Sequence, residues 1–115
     1  MIHGQKTKQL SRERNVRNAL LKTMAVSLIR EGKMKTTETK AKVLKPIVEK
    51  LVTKAKVGDI AAKRLIIAKV GSASAKVLVD TIAPKYKTRN GGYLRITKLN
   101  DRKNDAAKMA QIEFV

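Results

Sequence analysis

The chain has 115 residues, of which 27 are Lys or Arg and 9 are Asp or Glu, leaving a formal net charge of +18 at pH 7. With no cysteine, it has no thiol nucleophile, no disulfide framework and no thiolate metal site. No secretory leader and no run of roughly 18 apolar residues is visible, which predicts a soluble, cytoplasmic protein with no membrane partner.

Residues 1–10 mix basic, polar and small side chains with no helical or strand period, so they predict an extended basic arm ahead of a single globular domain over 11–115. Ser11 is a candidate N-cap for a helix over 12–31, with Val16, Leu20, Met24 and Leu28 as an apolar stripe widened by Ala19, Leu21 and Ala25. Gly32 ends that helix. Met34-Lys35-Thr36 reads as a short strand, and Thr37 can cap a second helix over 38–56 whose apolar face is Leu44, Ile47, Val48, Leu51, Val52 and Ala55. Pro46 interrupts it and predicts a kink or a late start, because an interior proline loses a hydrogen bond and clashes one turn back. Asp59 can cap a third helix over 60–70 that stops at Gly71. Ser72 or Ser74 can cap a fourth over 75–83, closed by Pro84 because the residue before proline avoids helical angles.

Beyond Pro84 the period changes. Residues 92–99 and 108–115 are rich in β-branched and aromatic side chains, and polar 100–105 between them reads as a hairpin loop. The order predicts an α+β fold in two layers: a helix, a short strand, three helices, then a C-terminal β-hairpin, packed in one small mixed sheet. Hydrophobic residues form 43% of the chain, enough for a core held by packing alone. No obligate homo-oligomer is expected.

The positive charge is spread: residues 1–56 carry a net +11 and residues 57–115 a net +7. Nucleic acid relieves such self-repulsion best, ahead of an anionic membrane or an acidic protein. A DNA-compacting architectural protein would use the same charge but wants a dimer surface or a groove-entering wedge. A membrane-surface protein wants bulky aromatics, and the chain has two Tyr, one Phe and no Trp.

The arm and first helix offer Lys6, Lys8, Arg12, Arg14, Arg17 and Lys22. Forked guanidinium donors mixed with mobile ammonium groups suit phosphate contacts more than base reading. His3 is the only histidine, with no second His, no Cys and no nucleophile pattern beside it; an ordinary polar role or an RNA contact by the arm outranks a metal or catalytic one. A second constellation is Lys85, Lys87, Arg89, Asn90, Gly91, Gly92, Tyr93 and Arg95. Its glycine pair permits a sharp turn or close approach to phosphate, and Arg and Tyr can pair and stack; a hairpin entry with exposed charges is an equally good reading. Phosphate-loop, dinucleotide-binding and nucleophile-elbow spacings are all missing, so no enzyme activity and no cofactor are expected.

The order of several segments is similar to the L-seventeen family of bacterial large-subunit ribosomal proteins. The match runs from Met1-Ile2-His3 through Leu10-Ser11-Arg12 and Arg17-Asn18-Ala19-Leu20-Leu21 to Lys35-Thr36-Thr37 and Lys40-Ala41-Lys42. It resumes at Lys54-Ala55-Lys56, Arg64-Leu65 and Arg89-Asn90-Gly91-Gly92-Tyr93-Leu94-Arg95-Ile96, ending near Glu113. Ile2 and Val16 stand where the family usually has Arg and His. The resemblance implies a ribosomal component that binds large-subunit ribosomal RNA near the opening of the peptide exit tunnel, beside neighbouring large-subunit ribosomal proteins. It adds Lys35, Lys40 and Lys42 to the candidate RNA contacts.

Overall fold

The computed structural model describes residues 14–115; the arm, Ser11 and the start of the first helix lie outside the described residues. Helix α1 (Arg14–Glu31) buries Leu21, Met24, Ala25, Leu28 and Ile29. The expected stripe at Val16, Leu20, Met24 and Leu28 is displaced, since a strict four-residue step drifts around a helix of 3.6 residues per turn. Val16 is accordingly 54% exposed while Leu28 is fully buried.

Helix α2 (Glu38–Val57) begins where the sequence signals it: the Thr37 hydroxyl accepts from the Lys40 backbone N–H, and Gly58 closes the far end by donating to the Lys54 carbonyl. It runs unbroken through Pro46, so the late start is not found. Five fully or nearly fully buried side chains before and after the proline (Ala41, Leu44, Val48, Leu51 and Val52) tie both halves to one core. Burial of a Leu or Val contributes about 1.5–3 kcal/mol, so a few such contacts outweigh the roughly 3 kcal/mol cost of the proline.

Helix α3 (Ile60–Val70) has the expected bounds, with the Asp59 carboxylate accepting from the Ala62 N–H at 2.7 Å. Helix α4 (Ser72–Val77) departs from expectation: Gly71 is its N-cap, neither serine caps it, and Ser74 is buried. It continues through a π-helical turn (Leu78–Ile82) into a last turn, α5 (Ala83–Lys85), which includes Pro84. The wider turn, in which the Ala83 N–H reaches back to the Leu78 carbonyl, shifts the hydrogen-bond register just before the proline, which itself has no N–H to place.

Strands β1 (Lys33–Thr37), β2 (Leu94–Lys98) and β3 (Met109–Phe114) form one sheet in the order β1-β3-β2. Both pairings are antiparallel, so the sheet is antiparallel throughout rather than mixed: β3 returns from the hairpin and runs against both neighbours. Its hairpin strands are shorter than the 92–99 and 108–115 expected, and the left-handed backbone at Gly91 and Gly92 delays the start of β2. Helix α2 packs against all three strands and also touches α1, α3 and the π-helical turn. Met34, Ile112 and Ile96 align across the inner face, where Ala110 and Ile112 are fully buried. Alternation then turns Lys33, Glu113 and Arg95, and Lys35, Gln111 and Thr97, to the opposite face as two cross-strand rows.

Candidate nucleic-acid interface

The segment between α5 and β2 carries the densest run of predicted contacts. Two backbone bonds, Tyr86 N–H to the Ala83 carbonyl and Arg89 N–H to the Tyr86 carbonyl, wind it into a turn. Both tyrosines point inward. Tyr86 is buried and donates its hydroxyl hydrogen to the Val115 carbonyl at 2.7 Å; Tyr93 is 2% exposed, with ring centroids 5.2 Å apart. Phe114 also stacks on Tyr86, with ring centroids 6.4 Å apart. The ring of Tyr93 is therefore unavailable for stacking on a base, because it completes the aromatic end of the core; its part is to hold the segment. Lys85, Lys87, Arg89, Asn90 and Arg95 remain exposed around that anchor. Gly91 and Gly92 adopt φ of 93° and 64°, backbone that side chains other than glycine rarely accept.

The anchor has a second half that sequence reasoning missed. Glu49, Thr53 and Lys56 lie on α2 at spacings of four and three, hence on one stripe. The Lys56 ammonium donates to the Arg89 carbonyl and, at 3.0 Å, to the Tyr93 hydroxyl, while standing 5.1 Å from the centre of that ring. The Tyr93 hydroxyl in turn donates to the Arg89 carbonyl at 3.2 Å, and the Glu49 carboxylate accepts from the Leu94 N–H at 3.4 Å. Lys56, then Thr53, hold the Tyr93 hydroxyl below the usual phenol range, against burial acting the other way. Tyr86 is pushed up by burial, with the Arg89 charge opposing. In the sequence Lys54-Ala55-Lys56 is singled out only as part of the family resemblance; the polar stripe beside the apolar face of α2 is the signal that could have marked Lys56.

The remaining candidates occupy other elements. His3, Lys6, Lys8 and Arg12 lie outside the described residues. Arg14 and Lys22 are exposed on α1, where Arg17 is half-buried. Lys35 is exposed on the outer face of β1, and Lys40 is half-buried in the first turn of α2. Lys42 pairs with Glu38 at 2.9 Å, and Lys98 approaches the same carboxylate at 3.9 Å. The hydrogen bond from Lys42, followed by the charges of Lys42, Lys98 and Lys108, keeps Glu38 below the usual carboxylate range.

Among the described residues no group of His, Cys, Asp and Glu could hold a metal ion, and no helix is long and apolar enough to cross a membrane. What the geometry offers is a rigid set of cationic donors: the loop backbone is fixed from within, and guanidinium and ammonium groups project from it toward whatever anion meets them. The class is that of a small, strongly cationic α+β protein that presents a pre-formed basic surface. The family model for Ribosomal protein L17 matches residues 20–115. Relatives called Large ribosomal subunit protein bL17 align with the whole chain. That of Mesorhizobium japonicum is 50% identical with 81% of its own length covered, that of Campylobacter fetus 47% with 98%, and that of Akkermansia muciniphila 48% with 85%. The chain belongs to the ribosomal protein L17 family.

Proposed function

We propose that the chain is a non-enzymatic structural constituent of the bacterial large ribosomal subunit that binds large-subunit ribosomal RNA through basic, phosphate-contacting surfaces near the opening of the peptide exit tunnel. The observation that carries this reading is the anchored 85–95 segment: Tyr86 and Tyr93 are locked in the core while Lys85, Lys87, Arg89 and Arg95 stay exposed on a backbone that is already ordered. A pre-ordered cationic loop loses little entropy on meeting a phosphate chain. The arm residues His3, Lys6, Lys8 and Arg12, the helix cations Arg14, Arg17 and Lys22, and Lys35, Lys40 and Lys42 extend the contact. Neighbouring ribosomal proteins suit a different surface, the face of helix α3 on which Ile60 and Ile67, two turns apart, are exposed at 71% and 45%; phosphate gives such side chains nothing to bury against.

Binding of the full chain to large-subunit ribosomal RNA, measured across a salt series, tests the reading. The logarithm of affinity should fall with log salt by about 0.7 to 0.9 for each phosphate neutralised. A nearly salt-independent affinity, or failure to enter reconstituted large subunits, would overturn it.

A further inference from the structure

Among the described residues, the outer face of the sheet is exposed along both edges and has an unusual charge order. Its edge strands present Lys33 and Lys35 on one side and Arg95 and Thr97 on the other, all exposed. Between them, on β3, lie Gln111 and Glu113, half-buried and in register with those edges: Lys33 and Arg95 flank Glu113, and Lys35 and Thr97 flank Gln111. The Gln111 side-chain amide donates to the Glu113 carboxylate at 3.5 Å, yet among the described residues no ion pair closes on Glu113. A face that bound phosphate alone would be weakened by a carboxylate at its centre. A central carboxylate is useful where the ligand brings donors.

We propose that this sheet face docks on the minor groove of an RNA duplex, with the edge cations meeting the phosphates on either side and with Gln111 and Glu113 hydrogen-bonding to ribose 2′-hydroxyls and base-edge amino groups between them. The cation-bearing edges are two strand spacings apart, about 10 Å before the side chains extend. The A-form minor groove is wide and shallow and displays 2′-hydroxyls and base edges that a flat surface can reach. A 2′-hydroxyl donates to Glu113 and accepts from Gln111, and the flanking Lys33 and Arg95 offset the carboxylate charge near the phosphates. This site rests on the RNA-binding reading and deepens it, adding discrimination for ribose that phosphate contacts do not supply.

The test compares the full chain binding a plain RNA duplex with the same duplex carrying 2′-O-methyl groups, which keeps the A-form and the phosphate charge while removing the donor. Wild type should prefer the plain duplex, and Glu113→Ala should shrink that preference by about fivefold, the value of one lost hydrogen bond of about 1 kcal/mol. The Gln111 amide donates to an oxygen that methylation retains, so Gln111→Ala should weaken both duplexes. Lys35→Ala should weaken both duplexes equally. Glu113→Met keeps the side-chain length without an oxygen acceptor and serves if the alanine variant melts early by circular dichroism. A wild-type protein that binds both duplexes alike, or a Glu113 variant that keeps the full preference, would refute the groove contact while leaving salt-dependent RNA binding intact; no binding to either duplex or to ribosomal RNA would instead remove the functional reading beneath it.

Discussion

Lys56 and Tyr93 meet across 37 residues of sequence, the ammonium donating to the phenol oxygen at 3.0 Å and lying 5.1 Å from the ring centre. Because both groups also donate to the Arg89 carbonyl, the three form one unit. Tyr93→Phe should cost about 1–3 kcal/mol and Lys56→Met about 1 kcal/mol. The double variant should lose less than the two separate losses combined, as expected for groups in one network. Urea denaturation of the four proteins reads the coupling; strict additivity would mean the contact contributes nothing.

Tyr86 and Tyr93 touch, yet their phenols are displaced in opposite directions, Tyr86 up by burial and Tyr93 down by its bond from Lys56. Alkaline titration followed by tyrosinate absorbance should show two steps on either side of 10.0, with Tyr93→Phe deleting the lower and Tyr86→Phe the upper. Since Tyr86 is raised in the folded state, its contribution to stability is whole below the unfolded value and is lost as pH climbs through the folded one. Tyr86→Phe should therefore flatten the alkaline limb of the stability curve.

Glu38 sits in the first turn of α2 with Lys42 and Lys98 around it, and its acidity is strengthened relative to the ordinary 4.5. A depressed carboxylate stabilises the fold above its unfolded value, and that contribution disappears as pH falls through the folded one. Glu38→Gln should lower stability at neutral pH and reduce the acid-side decline; urea midpoints collected from neutral to acid pH check it. Identical pH profiles for the two proteins would be the contrary result.

A side chain at Gly91 would meet no heavy atom within 4 Å, and one at Gly92 only the Arg89 guanidinium at 3.8 Å, so space does not limit either position. Backbone angle does. Gly91→Val should cost about 1–3 kcal/mol through its left-handed φ of 93°, whereas Gly92→Asn, at φ of 64°, should be far milder because asparagine visits that region. Thermal melting ranks the pair, and equal losses would shift the explanation from angle to contact.

Arg89 and Arg95 are exposed, so Arg89→Ala and Arg95→Ala should leave folding intact by circular dichroism. Each should weaken ribosomal RNA binding by about 1–3 kcal/mol if its guanidinium holds a phosphate. Competition against wild type for incorporation into large subunits is the measurement; unimpaired competitors would move the main contact to α1 and the arm.

Features written in adjacent residues were legible in the sequence: Thr37 and Asp59 as caps, Gly71 as a stop, and the bounds of α3. Features that depend on distant partners were not. Pro46 and Pro84 looked like breaks because the packing and the π-helical turn that accommodate them come from tertiary structure. The two tyrosines looked available to a ligand, since nothing near Tyr93 in sequence announces Lys56 or Tyr86 as neighbours. The cationic segment itself was identified, but its supporting stripe of Glu49, Thr53 and Lys56 was hidden in an ordinary basic helix.

The central position of β3 has a consequence for how the chain is made. Neither β1 nor β2 has a partner strand until residues 109–114 have been synthesised, although both edges precede them. The helices can gather first from near contacts, while sheet formation waits on the longest-range pairing, β1 with β3. A nascent chain stalled before Met109 would thus hold two unpaired strands and an uncovered apolar side of α2, a state prone to stick to other chains. Removing β3 would abolish the sheet rather than trim it.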